Sequence, residues 1–376
     1  MAYPKSVAVI LVAIAAAVLP LPPAWVERVY SRGVYPVFQP VATTLSNLVP
    51  VALLDIAVAS LLAGLAVAAW RGWTRRGVRR SLPSAVRLLV TGGAAVYLLF
   101  LLTWGLNYRR VPLEARIAFD RGRVTTAAAG TFAALAISRV NAAYTAAHEQ
   151  PFRPALLELS FGEAQVMLGS RRVATTGRPK RSFAGLYFRY AALDGMTVPV
   201  FLEIILNPDI LPIERPSVLA HEWAHLAGFA DESEANFVAW LAGIRSSDAV
   251  AHYSAWLDAY RLAAAALPRA ARARLPPLDP GPREDLRDIA ARYARSSPAV
   301  RSAARGVYDS YLKANRIEEG IANYGVALQL MLGTEFGEGW TPRLLHQEPA
   351  KSSFQRSSFA LSATTKAQQQ GNRHFP

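Results

Sequence analysis

His221-Glu222-Trp223-Ala224-His225 combines residue types and spacing that can do chemistry. On an α-helix, positions i and i+4 share a face, so both imidazoles can point at one metal ion. Glu222 is turned about 100° from the first imidazole and can reach a water held by that ion without being a ligand. The sequence has 6 His and no Cys, which excludes disulfides, thiolate sites and cysteine nucleophiles. Any metal must therefore be held by His, Asp or Glu. Zinc fits this set: two imidazoles, one carboxylate and an open fourth position make a hydrolytic centre.

The third ligand is sought downstream. After Gly228 the chain reads Asp231-Glu232-Ser233-Glu234-Ala235-Asn236-Phe237. On a helix opening here, Glu232, Ala235, Asn236, Ala239 and Gly243 fall on one face. Apart from Glu232 and Asn236 that face is small, which lets this helix approach the first one closely. Glu232 is therefore the expected third ligand, with Asn236 one turn on to fix its orientation. Two rivals stay open. Asp231 completes a His-Glu-x-x-His-x-x-Gly-x-x-Asp string, and Glu234 points about 160° away from Glu232 on an ideal helix. A plainer reading makes both histidines partly buried core side chains and the acids helix caps. The pair of His, the Glu between them, the Gly turn and the acidic helix start together favour a metal.

The elements that carry this motif follow from patterning. The chain has 376 residues, 52% of them hydrophobic, and the longest apolar runs lie within residues 1–106. These runs cover residues 6–22, 48–70 and 86–106. About 20 helical residues cross a hydrocarbon core of about 30 Å, so three transmembrane helices are expected. Pro20, Pro22 and Pro23 crowd the place where a signal-peptide cleavage site would sit, so the first run is read as uncleaved. Arg71, Arg75, Arg76, Arg79 and Arg80 lie between runs two and three and Arg87 at the start of run three, against Arg28 and Arg32 between runs one and two. The positive-inside rule places the Arg-rich loop and the N-terminus in the cytoplasm and everything after Trp104 outside the cytoplasmic membrane. Trp70, Trp73, Trp104 and Tyr108 are expected as interfacial anchors. Asp55, early in run two, is expected to reach the interface or a neighbouring helix rather than to act in the bilayer.

The net charge is +14, and Lys supplies only 5 of the 41 basic residues. This reads as a composition bias towards Arg. The sequence has no basic stripe with interleaved aromatics, so a nucleic-acid partner is not expected.

Residues 107–343 read as a separate, mostly helical α+β domain, and 344–376 as a disordered tail. Helices are expected over residues 125–147, from Pro216 to about Ala227, from Asp231 or Glu232 onward, and over 248–267, 283–294, 299–315 and 319–332. Aromatic and β-branched residues on both sides of Asp194-Gly195 predict a hairpin, with strands at Leu186 to Tyr190 and Val198 to Ile205. Pro199 would make the second an edge strand, able to pair with an extended peptide.

The stretch HEWAHLAGFADESEANF resembles the zinc motif of a bacterial membrane-protein family catalogued as domain of unknown function 3810. YSRGVYPVF at Tyr30 to Phe38, WGLNYRR at Trp104 to Arg110, and VYDSYLKAN…GIANYG at Val307 to Gly325 are similar to further segments of that family. The resemblance implies a multi-pass membrane protein with a zincin-like domain and supplies no substrate. The Glu-x-x-Ala-Asn string from Glu232 is also similar to the Glu-x-x-Ala-Asp string of gluzincin peptidases, whose first Glu binds zinc.

These readings describe a mainly α membrane protein with three N-terminal transmembrane helices and a zincin-like domain carrying a small hairpin. The expected activity is zinc-dependent hydrolysis of peptides or envelope proteins, with His221, His225 and Glu232 as ligands and Glu222 as general base. Tyr311 and Tyr324 are candidate oxyanion donors. The alternative is a non-catalytic, zinc-stabilised module that binds a partner. Intramembrane proteolysis is disfavoured, because Glu214, Arg215, Asp231, Glu232 and Glu234 flank the motif.

Overall fold

Four helices form from the N-terminal region: α1 (Tyr3–Val18), α2 (Pro23–Asn47), α3 (Leu53–Arg76) and α4 (Val78–Thr103). The computed structural model describes residues 3–76, 78–315, 317 and 326–345. Helices α1 and α3 pack against α4. Within α4, Ala85–Thr103 is long and apolar enough to cross a membrane, while α1 and α2 pass that test only together, as a pair bent by 108°. The apolar part of α3, Leu53–Ala68, is shorter. By length and composition this gives one candidate span among the described residues, or two with the bent pair, where the sequence reading expects three.

Three local causes account for the difference. The prolines after Val18 stop α1. Helix α3 starts at Leu53, not at residue 48, because the Glu203 carboxylate accepts from the backbone N–H groups of Leu53 and Leu54 at 2.8 and 2.9 Å. Residues 23–47, expected as a loop, are helical and partly π-helical (Val26–Val34). The Arg-rich stretch expected as a loop is also helical on both sides of residue 77. Asp55 accepts from Ser182 Oγ at 2.7 Å and from the Phe183 N–H at 2.9 Å, so it anchors the segment at Ser182 and Phe183.

Beyond Trp104 the chain forms α5 (Thr126–Glu149), α6 (Pro154–Met167), α7 (Ala184–Ala191), α8 (Arg215–Leu226), α9 (Glu232–Arg245), α10 (Ala249–Ala266), α11 (Pro280–Ala294), α12 (Pro298–Ala314) and α13 (Val326–Gly333). The caps are visible in the sequence: Thr125, Asp231, Asp248 and Ser297 each accept from a backbone N–H of their helix's first turn. Helix α6 has no counterpart among the sequence expectations. Tyr324 and the tail beyond residue 345 lie outside the described residues.

The sheet has three short strands, β1 (Pro179–Lys180), β2 (Gly195–Val198) and β3 (Glu203–Leu206), in the order β1-β3-β2. Strand β1 runs parallel to β3, and β2 runs antiparallel to it with Thr197 opposite Ile204. A hairpin is present, displaced from its expected position. Leu186 to Tyr190 belongs to α7, because Gly185, Phe188 and Ala191 recur at helical spacing and are the residues it buries. Gly195 opens β2 and does not form a turn, while Pro199 lies in the turn that Leu202 closes with a φ of 46°. The strand expected as an edge is central instead: β3 lies between β1 and β2, Pro199 falls in the turn before it, and the strand before that turn, β2, is at the edge.

The core gathers around α9, which packs against α6, α8, α10 and α13. Phe237, Val238, Trp240 and Leu241 are fully or almost fully buried there. The start of the small face of α9 meets α8 through Glu232, as expected, while at its far end a Cβ at Gly243 would fall 2.4 Å from Ala255 Cβ, so there the face admits α10. Val26, Tyr30 and Tyr35 of α2 and Trp104 after α4 join the same core as Ala224, Leu226 and Phe229.

Candidate metal centre

Helix α8 presents His221 and His225 one turn apart, and α9 begins at Glu232. The turn between them depends on Gly228, whose φ of 85° is a conformation that L side chains rarely adopt. The Phe229 N–H then bonds the Ala224 carbonyl at 3.0 Å, which closes the end of α8. Asp231 caps α9, its carboxylate accepting from the N–H groups of Ser233 at 2.8 Å and Glu234 at 3.3 Å. The chain thus folds back and brings Glu232 against both imidazoles.

The three side chains form a triangle, with one ligand atom from each within 4.8 Å of the others. His221 Nε2 lies 3.1 Å from His225 Nε2 and 3.2 Å from Glu232 Oε2, and His225 Nε2 lies 3.4 Å from Glu232 Oε1. Three donors about 2.0–2.1 Å from one ion in tetrahedral directions would lie about 3.3 Å apart. The donor set therefore fits a zinc-sized cation. Buried Glu232 Oε2 has no hydrogen-bond partner among the described residues, as expected of an atom facing a cation. His225 Nδ1 lies 2.8 Å from the Phe229 carbonyl. That nitrogen must carry the proton, which leaves Nε2 to ligate when the ring is neutral. The Trp104 indole N–H also holds the backbone carbonyl of His225, at 2.7 Å.

Neither rival acid joins the cluster. The Asp231 carboxylate is occupied as a cap, and Glu234 turns away to accept from the Leu113 N–H. Asn236 lies one turn along α9 and has no side-chain hydrogen bond among the described residues, so nothing ties it to a ligand.

Glu222 stands beside the triangle under the sheet. Its Oε2 accepts from the Thr197 hydroxyl on β2 at 2.8 Å. Both carboxylates are buried, yet their surroundings drive them apart. Burial pushes the Glu222 carboxyl up, against the pull of both imidazoles and Thr197. Burial also opposes charge on Glu232, but His225 and His221 hold its carboxyl well below the ordinary range. One acid is thus kept as an anion for a cation, and the other is set to take up a proton. In the metal-free protein, burial pulls His225 down and Glu232 pulls it up more strongly, to about 9.

A cluster of tyrosines closes the site. The Tyr308 hydroxyl donates to Glu232 Oε1. Tyr311 stacks on Tyr308 with ring centroids 6.0 Å apart and packs edge-on against Tyr108 at 6.1 Å. Of the tyrosines weighed from sequence, Tyr311 is therefore near the site but one ring removed. Tyr308 was the residue missed, although it lies in the quoted segment from Val307 and three residues before Tyr311 on one helix. Trp104 and Tyr108, expected at the membrane interface, pack around His225: Trp104 is edge-on to His225 at 6.0 Å, and Tyr108 is edge-on to Trp104 at 5.1 Å.

The arrangement defines a helix-borne His-His-Glu centre with an adjacent buried carboxylate. The chain belongs to the family described as Protein of unknown function (DUF3810), whose model matches residues 30–332. No curated protein and no solved structure matches the chain.

Proposed function

We propose that this protein is a membrane-anchored, zinc-dependent peptidase that cleaves peptides or envelope proteins outside the cytoplasmic membrane. The observation that carries the reading is the convergence of His221 Nε2 and His225 Nε2, 3.1 Å apart, on the two oxygens of Glu232 at 3.2 and 3.4 Å, with Glu222 buried next to them. A bound zinc supplies positive charge that polarises a scissile carbonyl and acidifies a water. Glu222 accepts a proton from the attacking water and passes it to the leaving amine, and Thr197 holds the accepting carboxylate in place. The Tyr308 hydroxyl, which donates to Glu232 Oε1, turns its one proton from that carboxylate to the oxygen that gains negative charge. Strand β2 has one strand neighbour among the described residues, so its other edge takes an extended substrate by backbone pairing.

In this reading α1, α3 and α4 all cross the bilayer. Their ends converge on the domain: Arg109 Nη2 donates to the Ala16 carbonyl at 2.8 Å, Glu203 caps Leu53, and Trp104 follows Thr103. The Arg-rich junction of α3 and α4 lies at the opposite end of those helices. The positive-inside rule then puts that junction in the cytoplasm and the metal centre outside.

Purified full-length protein in detergent, with Glu222→Gln beside it, tests the activity on a peptide library. The wild type is expected to cleave, and the variant to keep zinc and lose cleavage. Equal cleavage by both, or none by the wild type, overturns the peptidase reading.

A further inference from the structure

Helix α2 is built inside out for a helix in water. The residues it buries over Tyr35–Asn47 are Tyr35, Gln39, Thr43 and Ser46. Their polar atoms are all used: Tyr35 bonds the Leu226 carbonyl, Gln39 bonds both backbone groups of Thr175, Thr43 bonds the Leu202 carbonyl, and Ser46 accepts from Lys180. The opposite face shows Val34, Val37, Phe38, Val41 and Leu45, the valines and leucine 53–60% exposed. A polar face turned to protein and an apolar face turned outward is the pattern of a helix that meets lipid.

A cavity of about 170 Å³ opens beside this stripe, with Val37 in its wall. Arg32, Arg110, Arg116, Arg171 and Arg172 line it, and no acid does. Glu27, behind the wall, is shared by three of them: Arg110 at 2.8 Å, Arg32 at 3.3 Å and Arg116 at 3.5 Å. Arg116 keeps two buried nitrogens, Nε and Nη2, without a hydrogen-bond partner among the described residues, and so does Gln165 Nε2. The unsatisfied atoms on these two lining residues are therefore donors. Burial and the neighbouring Arg110 also push the Arg116 guanidinium down, which marks positive charge with too little negative charge around it. Arg171 and Arg172 are exposed, so the charge continues to the surface.

We infer that this cavity binds the headgroup phosphate of an anionic phospholipid, whose acyl chains lie along the outward stripe of α2. Guanidinium groups pair with phosphate oxygens through charge-assisted, often bidentate hydrogen bonds. A basic pocket bordering an apolar, lipid-facing stripe fits both parts of such a molecule. The inference rests on the membrane placement of the chain and does not depend on the metal centre, so loss of peptidase activity leaves it untouched.

The test is native mass spectrometry of the full-length protein in a neutral detergent, titrated with phosphatidylglycerol, phosphatidylcholine or inorganic phosphate. Phosphatidylglycerol is expected to bind at least fivefold more tightly than phosphatidylcholine of the same chain length. Arg116→Met and Arg172→Glu are each expected to weaken it at least fivefold. Arg172 is exposed, so the second variant carries the test even where the first fails to fold. Val41→Glu, on the outward stripe, is expected to weaken the lipid and leave any phosphate binding alone. Equal binding of the two lipids, or no effect of Arg172→Glu, overturns the inference. Inorganic phosphate binding as tightly as phosphatidylglycerol makes this a free-anion site and overturns the lipid source.

Discussion

Gly195 and Glu222 are in such close contact that a Cβ at Gly195 would fall 2.6 Å from Glu222 Oε1. The edge strand therefore roofs the carboxylate that the mechanism uses as a base, and only the smallest residue leaves it room. Two residues along the strand, Thr197 holds the other oxygen of the same carboxylate. Strand and base are one unit.

Gly195→Ala is expected to displace the Glu222 carboxylate while leaving His221, His225 and Glu232 in place. General base catalysis contributes about 10²–10⁴-fold, so kcat/KM should fall by at least about 10² with zinc content unchanged. Peptide cleavage and metal analysis of the same preparation check this. Unaltered kcat/KM would mean that Glu222 is not the base.

Tyr308→Phe separates two roles for the hydroxyl that touches Glu232. As an oxyanion donor it is expected to cost about 10²–10³ in kcat, with KM and zinc affinity little changed. Loss of zinc affinity with kcat preserved in zinc-saturated enzyme would make Tyr308 a positioning residue for Glu232.

His252, on α10, gives a pH-dependent stability away from the metal centre. Burial lowers its pKa from the usual 6.5, although Nδ1 bonds the Ile244 carbonyl at 3.0 Å. An unfolded chain binds this proton at a higher pH than the folded one does. Stability should therefore fall as the pH drops below about 6.5 and through the lowered folded value. Thermal unfolding in detergent at about pH 7.5 and 5.5 is expected to show a larger loss for the wild type than for His252→Gln. Parallel losses would contradict the assignment.

The topology has its own check. A reporter active only in the cytoplasm, fused after residue 345, is expected to be silent. Activity there would put the metal centre inside the cell.

The placing of the candidate site residues was the most legible part of the sequence. His221, Glu222, His225 and Glu232 lie within one local stretch of helix, turn and helix, where spacing and Gly228 almost determine the geometry. Helix starts at Thr125, Asp231, Asp248 and Ser297 could be read for the same local reason. The rest depends on contacts distant in sequence. Tyr308 meets Glu232 across 76 positions, and Glu203 sets the start of α3 from 150 positions away. Leu186 to Tyr190 misled because aromatic content suggested a strand while burial followed helical spacing. The second half of α2 was not legible because its burial is inverted: over Tyr35–Asn47 the side that packs on protein is polar and the apolar side faces outward.

The zinc content of full-length protein purified without chelators tests the central claim most directly. The account expects about one zinc per chain in the wild type and in Glu222→Gln, and close to none in His225→Ala and Glu232→Ala. Folded wild-type protein that neither contains zinc nor takes it up, or full occupancy in His225→Ala, would contradict the metal centre and the peptidase reading built on it.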